Sequence, residues 1–521
     1  MTQIPIKKIV FIEPKAPGQH IYTKWGLPRL GTLQLGTILK QAGYEVACFI
    51  EDIKGIDFDE VFEADAVGIS TITSTAPRAY EMAEQIRKAG IPVFMGGPHV
   101  SFLAEEALRH CDYVLRGEAE ETILPFLQAL ASGDGLENIP GLSWMAGVHI
   151  HSNPLPDHCL ELDRYPFPDF SLIKGSKEFK GDDTITPIMT SRGCPYGCNF
   201  CAVTRMFGRR YRFRSVDNVM AELRSHKLDY VFFYDDNFAA NPAHTKELLR
   251  RMIAEGITPR WSAQVRVDVA DDPELMDLMR RSGCVLVYMG LESSNPKALK
   301  ALNKGQTPEQ IERAVEVIHS YGINIHGMFI FGTDQDDAST IRGTLRFAKR
   351  LGIATVQFML LTPLPGTPVF ENIRDEGRLL SEDWGYFDGH HVVFAPKGMT
   401  SLQLQKLTLK AMVRFYSLPQ ALTKLNQFNL LAMIVRLYGW RVTRKTRRQM
   451  RGFVDHLREL YQHAGDGIST ARQDIRLRAR KTSEDLKEYF RSINFDRIRR
   501  MKQERIDEWR ASRASAGNRA T

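Results

Sequence analysis

The sequence predicts an α/β protein in three parts. These are an N-terminal Rossmann-like, doubly wound domain (residues 1–150), a partial (β/α)6 barrel (186–400) and a helical, basic C-terminal region (401–521). Three observations carry this. In the first part short apolar runs alternate with segments of helical spacing, the pattern of a parallel sheet with crossover helices. In the second, six more apolar runs alternate with helical stretches, as in an open barrel. In the third, 27 Lys and Arg stand against 11 Asp and Glu.

At 521 residues the chain exceeds one ordinary domain. Its 43% apolar and 25% charged residues suit soluble cores. The net charge of +7 divides into +16 on residues 401–521 and −9 on the rest, so the tail is expected to meet something anionic. No apolar run is long enough to span a bilayer, and no signal peptide opens the chain. Cys48, Cys111, Cys159 and Cys284 are scattered in apolar surroundings and read as reduced core thiols, so a cytoplasmic setting is expected.

In the first part, strands are expected at Lys8–Glu13, Tyr44–Ile50, Ala66–Ser70, Pro92–Met95 and Tyr113–Leu115, with helices from Leu30 and Ala76. Ligands of such sheets lie beyond the carboxyl ends of the strands. The loops there are rich in Gly, Ser and Thr, which lets backbone approach a flat ligand. Candidate contacts are Ser70, Thr71, Thr73, Gly96, Gly97, His99, Gly117 and Glu118. Residues 151–185, with Pro154, Pro156, Pro166 and Pro168, read as an extended linker.

Barrel strands are expected at Thr186–Thr190, Tyr230–Tyr234, Arg260–Gln264, Val285–Met289, Asn324–Ile330 and Ala354–Leu361. Their ends carry Asp235, Asp236 and Asn237, then Gln264 and Arg266, then Glu292, Gly332 and the turn Thr362–Pro368. Paired carboxylates at a strand end suit a polar ligand or a helix cap. Arg266 could fork onto a carboxylate. The Pro-Gly turn reads equally as structural. Arg205–Arg214 is dense in arginine and could hold an anionic substrate or reductant, or simply be solvated.

Behind the first of these strands lie Cys194, Cys198 and Cys201, spaced Cys-x3-Cys-x2-Cys. Thiolates suit zinc or iron–sulfur clusters. No further Cys or Cys/His pair follows at zinc-finger spacing, and three thiolates on a [4Fe-4S] cluster leave one iron open. Gly193 and Gly197 are expected to bend the loop.

This motif after a strand resembles the radical S-adenosylmethionine (SAM) superfamily. That resemblance implies SAM chelating the open iron, with Asp235, Asp236, Asn237, Gln264, Arg266, Glu292 and Gly332 about it. Gly332 would let adenosine approach, and the Thr362–Pro368 turn would border substrate. Ahead of the motif, Gly68–Thr73, Gly96–His99 and Arg116–Glu120 resemble the cobalamin-binding domain of the cobalamin-dependent class, of the bacteriochlorophyll cyclase and hopanoid methylase type. The Asp-x-His-x-x-Gly motif that places a histidine on cobalt is absent, so His99 is expected at the cofactor's edge or tail.

The resemblance implies a radical SAM methylase acting on an unactivated carbon of an apolar substrate such as a tetrapyrrole or hopanoid-like lipid. The second expectation is an oxidative cyclase like the anaerobic Mg-protoporphyrin ester cyclase. An iron–sulfur or cobalamin sensor binding nucleic acid is the third, disfavoured because a sensor needs no SAM site. Expected partners are the apolar substrate and a one-electron donor of flavodoxin or ferredoxin type. The apolar stretch Asn429–Trp440, with Arg441–Arg448 after it, reads either as an interfacial helix touching the inner face of a membrane or as a helix packed on the barrel. From Gly465 a mobile helical arm is expected. Nucleic acid is not, because no RNA-binding signature accompanies the charge.

Overall fold

A computed structural model describes residues 6–16, 27–175, 185–421, 430–463, 484–491 and 493–517. The first sheet holds β1 (Lys8–Glu13), β2 (Glu45–Ile50), β3 (Ala66–Ser70), β4 (Val93–Gly96), β5 (Tyr113–Leu115), β6 (Leu142–Ala146) and β7 (His149–Ser152). Their spatial order is β2-β1-β3-β4-β5-β6-β7. The first five are parallel; β6 and β7 add an antiparallel hairpin. Strand direction of travel across the sheet reverses at β1, so β1 and β3 flank the switch point where such sheets open a crevice. Val10, Ile12, Val67 and Ile69 face one core, and Ile9, Phe11 and Phe94 the other.

The second sheet holds β8 (Ile185–Ile188), β11 (Tyr230–Phe233), β12 (Arg260–Val265), β13 (Cys284–Glu292), β14 (Asn324–Phe331) and β15 (Thr355–Leu360). They run in sequential parallel order and end at two free edges, an open barrel. Val231, Phe233, Trp261, Val287, Phe329 and Phe358 are buried on the helix side. The alternate positions Phe232, Gln264, Tyr288 and His326 therefore share the lumen face. Asn241, Asp272, Thr307 and Thr367 cap helices that each begin with proline, a preformed start at the strand-to-helix turns.

The connector packs on both halves. Thr37 Oγ1 accepts from the Asp169 amide at 2.8 Å, and Asp163 accepts from the Ser215 amide at 2.8 Å. Its residues 176–184 lie outside the described residues.

Of the two readings of the apolar stretch, the described residues show the helix packed on the barrel, and the expected free arm is corrected in part. The helix Leu430–Gln449 packs on the barrel: Arg436 is buried, donates to the carbonyls of Phe415 and Ile353 at 2.9 Å each, and stacks on Phe415. Arg436, Gly439 and Thr443 are its buried residues, Ile434 stays exposed, and among the described residues no helix is long and apolar enough to cross a membrane. The expected arm falls partly on residues 464–483, outside the described residues. Beyond them, helices Glu484–Arg491 and Phe495–Gly517 return to the first domain. Phe490 sits 4.8 Å from Phe58 between ring centroids, Tyr489 donates to Asp59 at 3.1 Å, and Arg505 pairs with Asp65. Part of the tail's anionic partner is the chain's own acidic rim. Aromatic residues spaced among the arginines give the helix an apolar seam that overall polarity conceals.

Candidate functional site

Cys194, Cys198 and Cys201 are free, partly buried thiols on the loop between β9 (Ser191–Arg192) and β10 (Arg212–Phe213). These two short strands pair antiparallel and close the loop's neck. Asn199 donates to Ala301 O at 2.6 Å, and Asn303 donates to Gly197 O at 2.6 Å, fastening the loop to the barrel. The Val369 amide reaches Asn199 O at 3.3 Å. The Thr362–Pro368 turn thereby braces the loop, and Thr367 caps the next helix. Of the two glycines expected to bend the loop, Gly193 has positive φ (84°) and Gly197 does not.

Burial raises the Cys194 thiol and pushes Cys201 up to about 12. A cation must therefore displace their protons on loading. Among the described residues no three Cys, His, Asp or Glu side chains converge on a single-ion position. The three thiols lie close enough on one loop to feel one another's charge, a soft donor set that suits an iron–sulfur cluster.

Two groups of expected SAM residues flank this loop. On one side Asp235 is fully buried, and its Oδ1 accepts from the Thr190 amide and hydroxyl at 3.0 and 3.1 Å and from Ser191 Oγ. Gln264 donates to Asp235 O at 3.2 Å. Burial pushes Asp235 up to about 7 and Asp236 up to about 6. Asn237 is buried, with Oδ1 unpartnered.

On the other side Arg266 lies over the Tyr196 ring, 3.7 Å from its centroid, and donates to Lys304 O at 2.9 Å. Lys304 Nζ in turn meets Glu292 Oε1 at 2.7 Å, both side chains at most 10% exposed. Glu292 holds φ = 57°, a conformation non-glycine residues rarely adopt and one that often marks functional sites.

Gly332 is placed elsewhere. Its φ is 108°, and a Cβ there would lie 2.8 Å from Leu404 Cδ2 and 3.2 Å from Phe394 Cζ. Close packing of Leu404 and Phe394 at this strand end is one reason for a glycine here.

Between the two sheets lies a cleft of about 1400 Å³, part of it open to solvent. One wall carries Ser70, Gly96, Gly97, Gly117 and Glu118; the other carries Met189, Ser191, Tyr234 and Asp236. Five of the eight expected cobalamin contacts thus line one cleft, which opens on the cluster loop. The other three do not line it. Thr71 is buried and bonded to Gly96 O, and Thr73 is buried in a 3-10 turn. His99 is buried, with Nε2 3.0 Å from Tyr80 Oη and its ring 5.1 Å from that of Trp384. Pro98 starts a short helix that turns His99 away from the cleft. Gly97 has φ = 99°, and a Cβ would strike the Thr71 backbone, so this glycine lets neighbouring loops close on each other.

Sequence reasoning missed Tyr196, Lys304 and Arg192, and it read Arg212 only as part of the arginine-dense stretch Arg205–Arg214. Arg192 stands two residues before Cys194, which was the available signal; Lys304 has no spacing signature.

An open parallel barrel with a three-thiol loop at its mouth faces a Rossmann-like cleft, the arrangement that the resemblance to cobalamin-dependent radical SAM enzymes implies. The Radical SAM superfamily matches residues 188–348, and the B12 binding domain matches residues 26–126. An uncharacterized methyltransferase of Pyrococcus horikoshii is 33% identical over 76% of this chain and 89% of its own. The bacteriochlorophyllide d C-12(1)-methyltransferase of Chlorobaculum tepidum is 31% identical over 79% of this chain and 87% of its own. The radical SAM methyltransferase TsrM of Kitasatospora setae, solved with cobalamin and a [4Fe-4S] cluster, shares the fold at TM-score 0.65. It is 17% identical, with 85% of this chain and all of that one covered. The chain belongs to the cobalamin-dependent radical SAM methyltransferase family, and its cofactors are a [4Fe-4S] cluster, SAM and cobalamin.

Proposed function

We propose that the protein methylates an unactivated carbon of an apolar substrate, with a tetrapyrrole as the class its relatives favour. Cys194, Cys198 and Cys201 would hold the cluster; Glu292, Arg266 and Asp236 would border SAM; Ser70, Gly96, Gly97 and Gly117 would seat cobalamin. With these bound, reductive cleavage of SAM supplies a 5′-deoxyadenosyl radical and cobalamin supplies the methyl group. The residues do the rest. Asp235 and the β9–β10 bridge hold the thiol loop at the mouth, and the apolar lumen around Phe232 and Tyr288 excludes water from a radical.

The carrying observation is the shared cleft, which sets the cobalamin loops directly opposite the barrel mouth. The exposed Arg205, Arg209 and Arg210 beside the thiol loop suit an acidic one-electron donor of flavodoxin or ferredoxin type. Arg441, Arg444 and Lys445 are exposed on the helix that packs on the barrel and suit anionic lipid that delivers such a substrate.

The test uses anaerobically reconstituted protein, dithionite, methyl-deuterated SAM and a lipid and pigment extract of the host. Release of 5′-deoxyadenosine with deuterium in an extract component supports methylation. Release with an altered component and no deuterium would favour the cyclase, and Cys198→Ala should abolish both.

A further inference from the structure

We propose that Glu118, supported by Glu120, is a positioning residue that couples the cobalamin cleft to the cluster loop. Glu118 follows β5 and lines the cleft, yet both its carboxylate oxygens are taken. Arg192 Nη1 donates to Oε1 at 2.8 Å, Arg212 Nη1 donates to Oε2 at 2.8 Å, and Arg212 Nη2 donates to Oε1 at 3.1 Å. His158 Nδ1 of the connector lies 2.9 Å from Oε2. Glu120 Oε1 receives the second Arg192 nitrogen at 2.5 Å.

Arg192 and Arg212 are the partners that face each other across β9 and β10. All three thiols lie on the loop these two residues close. Arg212 also donates to Cys159 O at 2.9 Å. Three chain segments are thus joined at one knot: the loop after β5, the connector and the neck of the cluster loop.

The four charged side chains are 2–10% exposed, with two guanidinium groups balancing two carboxylates. Planar forks on carboxylates fix direction as well as distance. The β5 loop therefore cannot shift towards a ligand in the cleft without moving the neck of the thiol loop. A ligand that orders one orders the other, and by linkage the coupling is reciprocal.

The experiment follows loss of the cluster's visible absorbance to an iron chelator in the full-length reconstituted protein, with and without saturating hydroxocobalamin. Cobalamin should slow the loss at least about fivefold in the unaltered protein, the lower end of ordinary coupling. In Glu118→Gln, which keeps shape and removes charge, that ratio should fall towards one while cobalamin still binds. An unchanged ratio at saturation overturns the proposal; if cobalamin affinity alone falls, Glu118 is a corrin contact. Absence of protection in the unaltered protein overturns it also. Should Glu118→Gln lose its far-ultraviolet helix signal, Glu120→Gln carries the test. It frees only one arm of Arg192 and should give an intermediate ratio, and full protection there counts against the proposal.

Discussion

Asp235 Oδ1 accepts the Thr190 amide at 3.0 Å and so joins the end of β11 to the root of the thiol loop. The Thr190 and Ser191 hydroxyls bond the same oxygen. Three donors converging on one buried acceptor make this carboxyl a fastening, although a strand-end acid could equally have faced a ligand. Asp235→Ala strands those donors, at a cost of about 2–4 kcal/mol. The expected outcome is a lowered melting temperature and reduced iron content after reconstitution. Asp235→Asn keeps an acceptor and should lose much less. Equal loss in both would mean that the charge matters and the hydrogen bonds do not.

Gly332 makes a second prediction, because its neighbours leave no room for a side chain. A methyl group at φ = 108° would be strained and would press on Leu404. Gly332→Ala should cost about 2 kcal/mol, seen in chemical unfolding, and Leu404→Ala in the same chain should recover part of it. SAM affinity by equilibrium dialysis should stay within about twofold, a change of under 0.5 kcal/mol. A large loss of affinity would restore the adenosine contact that the strand-end position suggested.

The barrel was legible because strands enclosed on both faces, by helices outside and by the lumen inside, carry near-continuous apolar runs such as Val285–Met289. The thiol loop was legible from spacing alone. The hairpin β6–β7 was not: His149 and His151 sit on the exposed edge strand β7, where no continuous apolar run forms. Glu118 was read as a cofactor contact because its loop follows a strand; only the fold brings Arg192 and Arg212 to it. The orientation of His99 was not legible for a related reason. A Gly-Gly-Pro-His loop gives no sign of which way the short helix it starts will turn.

Docking of the last helices on the first domain carries a third prediction. Phe490 is 6% exposed and packs on Phe58, and Leu486 is buried in the same cluster. Phe490→Ala should cost about 3 kcal/mol. In calorimetry the transition of the cobalamin-binding half should fall, while cluster content stays as it was. If both fall together, the C-terminal helices also support the barrel.

His326 gives the pH dependence. Its ring lies in the lumen, with Nδ1 2.7 Å from Thr355 Oγ1 and Tyr288 beside it, and burial lowers it from its ordinary value to about 3. The folded protein therefore keeps this imidazole neutral, and its contribution is fully present above about pH 6.5, where the unfolded chain is neutral too. As pH falls from there, the unfolded chain takes up a proton that the folded chain refuses. Stability then drops by up to about 1.4 kcal/mol per pH unit, a loss on the order of 4 kcal/mol when pH reaches the folded value. His326→Gln removes that proton from the balance. Its unfolding free energy should fall less steeply than that of the unaltered protein between about pH 6 and pH 4, by close to one proton in the slope. At neutral pH it should be lower by only about 1 kcal/mol, for the weakened Thr355 contact. Parallel slopes would show that the imidazole is charged in the folded lumen, and the barrel interior would then be far more polar than its aromatic lining implies.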